Sequence, residues 1–141
     1  MSLSVLVYAS RATVPFDEEK LKDLLGKARV KNSSKNITGM LLYREGLFVQ
    51  ALEGEEDDVV SLYERISKDQ RHTDVIKIYL KPIRERSFGD WSMGFNRFNQ
   101  EDDDKIEGYS HFLTKASPEF FQGNPSYAKA LLDNFRNDVL F

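Results

Sequence analysis

Apolar and polar positions along the chain lay out a succession of strands and helices. Residues 3–9, LSVLVYA, are rich in β-formers and predict a strand. Pro15 and Asp17 open a helix, in which Leu21, Leu24, Leu25 and Ala28 recur at i, i+3, i+4 and i+7. Glu18 and Glu19 stand at its positive end, and Lys27, Arg29 and Lys31 at its negative end, as the macrodipole favours. Residues 32–38, NSSKNIT, read as a polar loop. GMLLY, the turn REG and LFVQALE then predict a hairpin. The acidic run Glu55–Asp58 begins a second helix with the stripe Val59, Leu62, Tyr63 and Ile66, closed by Lys68, Arg71 and His72. VIKIYL, residues 75–80, reads as a fourth strand and WSMGF, residues 91–95, as a fifth.

The order β-α-β-β-α-β-β contains the ferredoxin-like pattern, an antiparallel sheet with two helices on one face. The fold class is therefore α+β. The hairpin strands are apolar on both faces, so the second face needs a cover. Residues 99–141 can supply it. Ala128, Leu131, Leu132, Phe135 and Val139 form a helical stripe behind the Gly123-Asn124-Pro125 break, and residues 103–113 are a further candidate helix despite Gly108. The expected organisation is a domain over residues 1–98 with a helical extension over 99–141 packing on the sheet.

One strand position breaks the pattern. In LFVQALEG, Leu47, Val49 and Ala51 share one face, and Phe48, Gln50 and Leu52 the other. An amide without partners on a core face costs about 1–3 kcal/mol. Gln50 is therefore either quietly paired or in contact with something polar. Tyr8, sharing a face with Leu6, also needs a partner for its hydroxyl. A Tyr8–Gln50 pair in the core would satisfy both and needs no ligand.

Composition narrows the classes. The chain has 141 residues, 40% hydrophobic and 30% charged, which suits one folded domain. A net charge of −3 with interspersed signs argues against a nucleic-acid partner. With no cysteine, disulfides, thiolate metal sites and cysteine nucleophiles are excluded. The start, MSLSVLVYAS, has no basic leader and is too short to span a bilayer, so no membrane partner and a cytoplasmic location are expected. The acidic runs Glu55–Asp58 and Glu101–Asp104 lack calcium-loop spacing, and only two histidines occur, so no metal site is expected. Arg71 and His72 read as cations at a helix end, with an anion-contact or ring-contact role as the functional alternative.

Several pieces line up in order: LVYAS, RVKNSSKNITG, FVQALEG, DQRHTDV, PIRERSFGDW and the closing WSM. Over roughly residues 3–95 the chain resembles a BLUF domain, a blue-light sensor using flavin. The resemblance implies a flavin ring between the two helices on one sheet face. It implies that Tyr8 and Gln50 reach the ring from the sheet and that Asn32 bonds its polar edge. Leu24 and Ile66 match the aliphatic residues that sandwich it, and Arg71 and His72 a nearby basic pair. Trp91 and Met93 match residues that exchange places near the glutamine. Lys31 takes no firm role. The implied function is photoreception, not enzymatic catalysis. In that family, light moves an electron and a proton from the tyrosine to the flavin, and the glutamine is left rearranged by rotation or tautomerisation while the flavin ends oxidised and slightly red-shifted. FAD is the usual occupant, with FMN and riboflavin open because only the ring pocket is legible. No enzymatic module is expected in a chain ending at Phe141. It resembles the short class that acts through homo-oligomers or a downstream partner protein. Two readings compete: a light-independent ligand-binding or interaction domain, and a small acylphosphatase-like enzyme, for which no catalytic loop is visible.

Overall fold

The computed structural model describes residues 3–14, 16–44, 46–89, 92–97 and 117–134. Its elements are β1 (Leu3–Ala12), α1 (Glu18–Ser34), β2 (Thr38–Arg44), β3 (Leu47–Glu55), α2 (Glu56–Ser67), β4 (His72–Pro82), β5 (Gly94–Arg97), α3 (Pro118–Gly123) and α4 (Pro125–Asn134).

The sheet order is β4-β1-β3-β2-β5. β1 pairs antiparallel with β3 and β4, and β2 antiparallel with β3, which is the ferredoxin-like arrangement. β5 joins the free edge of β2 in parallel, Leu41 facing Phe95, so the sheet is mixed. The expected strand over 91–95 is shifted: the ladder runs from Gly94 to Arg97, and Ser92 and Met93 lead into it.

Alternation along β1 and β3 sorts two cores. Leu6, Tyr8, Phe48 and Leu52 face α1 and α2 with Leu21, Leu25, Val59 and Leu62. Val5, Val7, Val49 and Ala51 face the other way and meet Phe121, Ala128, Leu131 and Leu132 of α3 and α4. The cover expected from the C-terminal stripe is thus present for Ala128, Leu131 and Leu132. Phe135, Val139 and the candidate helix over 103–113 lie outside the described residues. The helix α3 was not anticipated. Its signal is local: Ser117 caps it by accepting from the Phe120 amide at 3.0 Å, with Pro118 in the first turn.

Two boundaries differ from the sequence reading. α1 continues through Asn32, Ser33 and Ser34 instead of yielding to a loop at residue 32. The polar residues bond the helix end themselves: the Ser34 hydroxyl donates to the Lys31 carbonyl at 2.7 Å, and the Lys35 amide reaches the Asn32 carbonyl at 3.1 Å. Asn36, with φ of 55°, then turns the chain into β2. α2 ends at Ser67, so Arg71 sits in the following turn and His72 opens β4 rather than closing the helix. No helix among the described residues is long and apolar enough to cross a membrane.

Candidate functional site

The floor of the site is set by strand register. Tyr8 and Gln50 are direct partners in the β1–β3 ladder, and the Tyr8 hydroxyl donates to Gln50 Oε1. Gln50 Nε2 in turn donates to Met93 Sδ at 3.2 Å. Tyr8, Gln50 and Met93 are all buried. Burial, reinforced by Tyr63 and Asp69, pushes the Tyr8 hydroxyl far above its ordinary value, so it stays protonated and acts as the donor. The β1–β4 ladder shifts register between Val7 and Tyr8 and again between Ala9 and Arg11. β4 therefore bulges beside Tyr8, a device that re-aims side chains next to sites.

Above this floor lies a cleft of about 870 Å³ of empty space, part of it open solvent, against about 390 Å³ for the pocket on the opposite sheet face. Leu24, Ala28 and Asn32 line it from α1, and Leu62 and Ile66 from α2. Arg71 and His72 line its rim. Tyr8, Leu24, Asn32, Gln50, Ile66, Arg71, His72 and Met93, the residues singled out from the sequence, thus border one cleft. Trp91 lies outside the described residues.

The rim is not a pair of bare cations. Arg71 Nη2 holds Asp69 Oδ2 at 2.6 Å, and its Nε reaches Asp69 Oδ1 at 3.1 Å. These bonds bring the Asp69 carboxyl down to about 2, so the pair is ionised at neutral pH. His72 places Nδ1 3.0 Å from the Ser10 hydroxyl, with its ring 5.1 Å from that of Phe48. Burial pushes its pKa below the ordinary value, and the ring is neutral near pH 7.

Residues given no site role in the sequence reading also meet here. Asp69, Arg65, Lys27 and Leu62 line the cleft. Leu62 stands one helical turn before Ile66 on α2, the signal that finds it, while Asp69 lies just beyond the helix end. Arg29 Nε donates to the Met93 carbonyl at 2.9 Å, and Asn32 Nδ2 to the Ser92 carbonyl at 2.8 Å. α1 therefore grips two consecutive carbonyls ahead of β5. Glu53, 1% exposed, accepts from the amides of Ser87 at 2.7 Å and Phe88 at 2.9 Å, pinning the chain that leads there. Val49, Ala51 and Glu53 share one face of β3, the one sequence signal that points to its burial.

The donor set suits a flat heteroaromatic ring. Leu24 and Ile66 offer apolar surface from opposite helix walls, while the amides of Asn32 and Gln50 offer the donors and acceptors a ring edge needs. A flavin ring, apolar on its faces and polar along one edge, fits that arrangement.

Comparison with known proteins addresses the family directly. The BLUF family model, described as sensors of blue-light using FAD, matches residues 3–94. The chain is 43% identical over 93 residues to the photoactivated adenylate cyclase subunit beta of Euglena longa, covering 65% of this chain and 11% of that protein. It spans about a tenth of the length of the curated relatives it matches. Among solved structures, BlsA in its ground state gives a TM-score of 0.74 at 32% identity, over 92% of this chain and 87% of that one. BlrB, a BLUF protein in its dark state, gives 0.71 at 29% identity, over 92% and 96%.

Proposed function

The chain belongs to the BLUF family of blue-light sensors that use FAD, and from that premise we propose that it signals by rearranging the hydrogen bonds of Tyr8, Gln50 and Met93. The observation that carries this reading is the row Tyr8–Gln50–Met93 on the floor of the cleft.

Leu24 and Ile66 would hold the ring between the helices, Asn32 would meet its polar edge through the oxygen its Ser92 bond leaves over, and Arg71 and His72 would border it. The flavin, when bound, supplies blue-light absorption and an acceptor for the tyrosine's electron and proton.

The residues do the rest. Tyr8 is held neutral, so it has a proton to give along with an electron. Gln50 presents oxygen to Tyr8 and nitrogen to Met93. Rotating the amide reverses both contacts. Nitrogen then faces Tyr8, whose oxygen must accept. Oxygen faces the Met93 thioether, and two acceptors oppose each other. One rotation of Gln50 thereby both rewires Tyr8 and removes the bond that holds Met93.

The division into a sensor over 1–98 and a helical extension over 99–141 belongs to the same proposal. So do a cytoplasmic location, the absence of enzymatic activity in this chain, and output through homo-oligomers or a partner protein. The support is that the family match ends at residue 94, while α3 and α4 pack on the sheet face opposite the cleft. Relatives carry cyclase names, but this chain matches only a small part of them.

The test is an absorption spectrum of the purified full-length protein before and after blue light. The expected result is a yellow protein whose flavin band moves slightly to the red and returns in the dark. A colourless protein that takes up no added FAD, or a bound flavin with no shift, overturns the reading.

A further inference from the structure

Met93 holds its place by two kinds of contact. Its side chain takes the Gln50 amide on Sδ, and its backbone carbonyl takes Arg29 Nε at 2.9 Å. We propose that Arg29 is a positioning residue: its grip on the Ser92–Met93 backbone holds the Met93 thioether on Gln50 and sets how long the rearranged network lasts.

The geometry runs through named bonds. Arg29 lies on α1 four residues after Leu25, which is fully buried, and three before Asn32. α1 is thus anchored in the core where it reaches out to the Ser92–Met93 segment. The guanidinium is half-buried, where a hydrogen bond from a charged donor is stronger than a neutral one. The space for Met93 is tight on its other side. A Cβ on Gly39 would come within 3.2 Å of Met93 Cε and would collide with the Ala51 carbonyl. Glu53 fixes the same connection farther back, at Ser87 and Phe88. The approach to β5 is therefore fastened at two places, and the Arg29 fastening is the one adjoining the switch.

The consequence rests on the proposed rotation of Gln50. That rotation sets Oε1 against Sδ and pushes Met93 away, while Arg29 keeps the Met93 backbone where it was. The grip favours the unrotated arrangement and speeds the return to it. Asn32 contributes a similar bond, but it also borders the cleft as a cofactor contact. Arg29 is absent from the cleft lining, so it separates the two roles.

The test uses the full-length protein labelled with carbon-13 at its methionine methyls. There are three methionines, and Met40 lies buried in the core on the opposite sheet face as an internal control. Methyl spectra and dark recovery are compared for the native protein, Arg29→Ala, Arg29→Gln and Arg29→Lys. The expected result for Arg29→Ala is a moved or broadened Met93 methyl, an unchanged Met40 methyl, a red shift of normal size, and recovery slowed roughly threefold or more. Arg29→Gln and Arg29→Lys, each able to donate one bond, should restore both readouts in part. An unmoved Met93 methyl in Arg29→Ala sinks the proposal, and so does a Met40 displacement as large as that of Met93. The methyl spectrum needs neither flavin nor light. A protein that binds no flavin therefore refutes the photochemical reading and leaves the grip on Met93 to be judged from the methyl alone.

Discussion

Tyr8 and Gln50 face each other across the β1–β3 ladder, and the tyrosine hydroxyl donates to the glutamine oxygen. Neither side chain is costly to bury while that bond stands, and either is costly once its partner is gone. Tyr8→Phe keeps the ring and removes the donor, leaving Gln50 Oε1 unpaired at a cost of about 1–3 kcal/mol. Gln50→Leu keeps roughly the volume, removes the amide, and orphans the Tyr8 hydroxyl instead. Both variants should still take up flavin, because Leu24, Ile66 and Asn32 are untouched. Both should lose the light-induced red shift. A reversible shift of normal size in either variant excludes the Tyr8–Gln50 pathway.

How far this site was legible depends on what each residue needed. Gln50 and Tyr8 were visible because strand alternation exposes a polar misfit on an apolar face, and register does the pairing. The same alternation held Glu53 next to Ala51, yet a carboxylate at a strand end looks like a solvated terminus. Its burial appears only once the Ser87–Phe88 turn folds over it. Asn32 was placed near the site but in a loop, because serines and asparagines are poor helix interiors. The side-chain bonds that carry α1 through them are tertiary and local at once. Arg29 read as a dipole-compensating cation, which its position allows. Its bond to the Met93 carbonyl spans 64 positions of sequence, and no local pattern encodes that. The parallel edge pairing of β5 was invisible for the same reason.

Gly39 on β2 is a second place where Met93 is constrained. A methyl group there would meet the Ala51 carbonyl, which is backbone and cannot swing away, and the Met93 methyl at 3.2 Å. Gly39→Ala should cost about 1–3 kcal/mol, the usual range for overpacking a filled core. It should also disturb the Gln50–Met93 bond. Chemical denaturation gives the first quantity and the Met93 methyl signal the second. A variant as stable as the native protein with an unmoved methyl signal contradicts the packing described for Met93.

Acid should act on the rim of the cleft through His72. Burial lowers its folded pKa below the ordinary value of 6.5, so the unfolded chain takes up a proton that the folded protein refuses. The stability His72 contributes is therefore fully present above about pH 6.5 and is lost as pH falls toward the lower folded value. The Asp69–Arg71 pair does not share this window, since Asp69 remains ionised down to about 2. His72→Asn should flatten part of the fall in urea midpoint between about pH 7 and about pH 5. If the variant and the native protein lose equal stability over that interval, the ring is not held neutral at the rim.

In the proposed output through the C-terminal helices, the cleft has to be felt on the other side of the sheet, and β1 offers a route. Tyr8 faces the cleft, while Arg11, three residues on, binds both Asp74 of β4 at 2.8 Å and Glu119 of α3 at 3.1 Å. These groups are exposed, and such pairs are worth about 0–1 kcal/mol. Arg11→Ala should therefore barely change stability. Phe121, a fully buried residue of α3, packs into the core on that sheet face, and Phe121→Ala should cost about 3–5 kcal/mol. A chain ending after Asn99 loses that whole cover and should be less stable or less oligomeric, yet still photocycle where flavin is retained. In the full-length protein, light should change hydrogen exchange within residues 117–134, and Arg11→Ala should shrink that change while leaving the flavin shift intact. Coupling of this kind is established by a two-state response, not by lying between two sites. Identical exchange in dark and light, with the flavin shift complete, would show that the signal does not pass through α3 and α4.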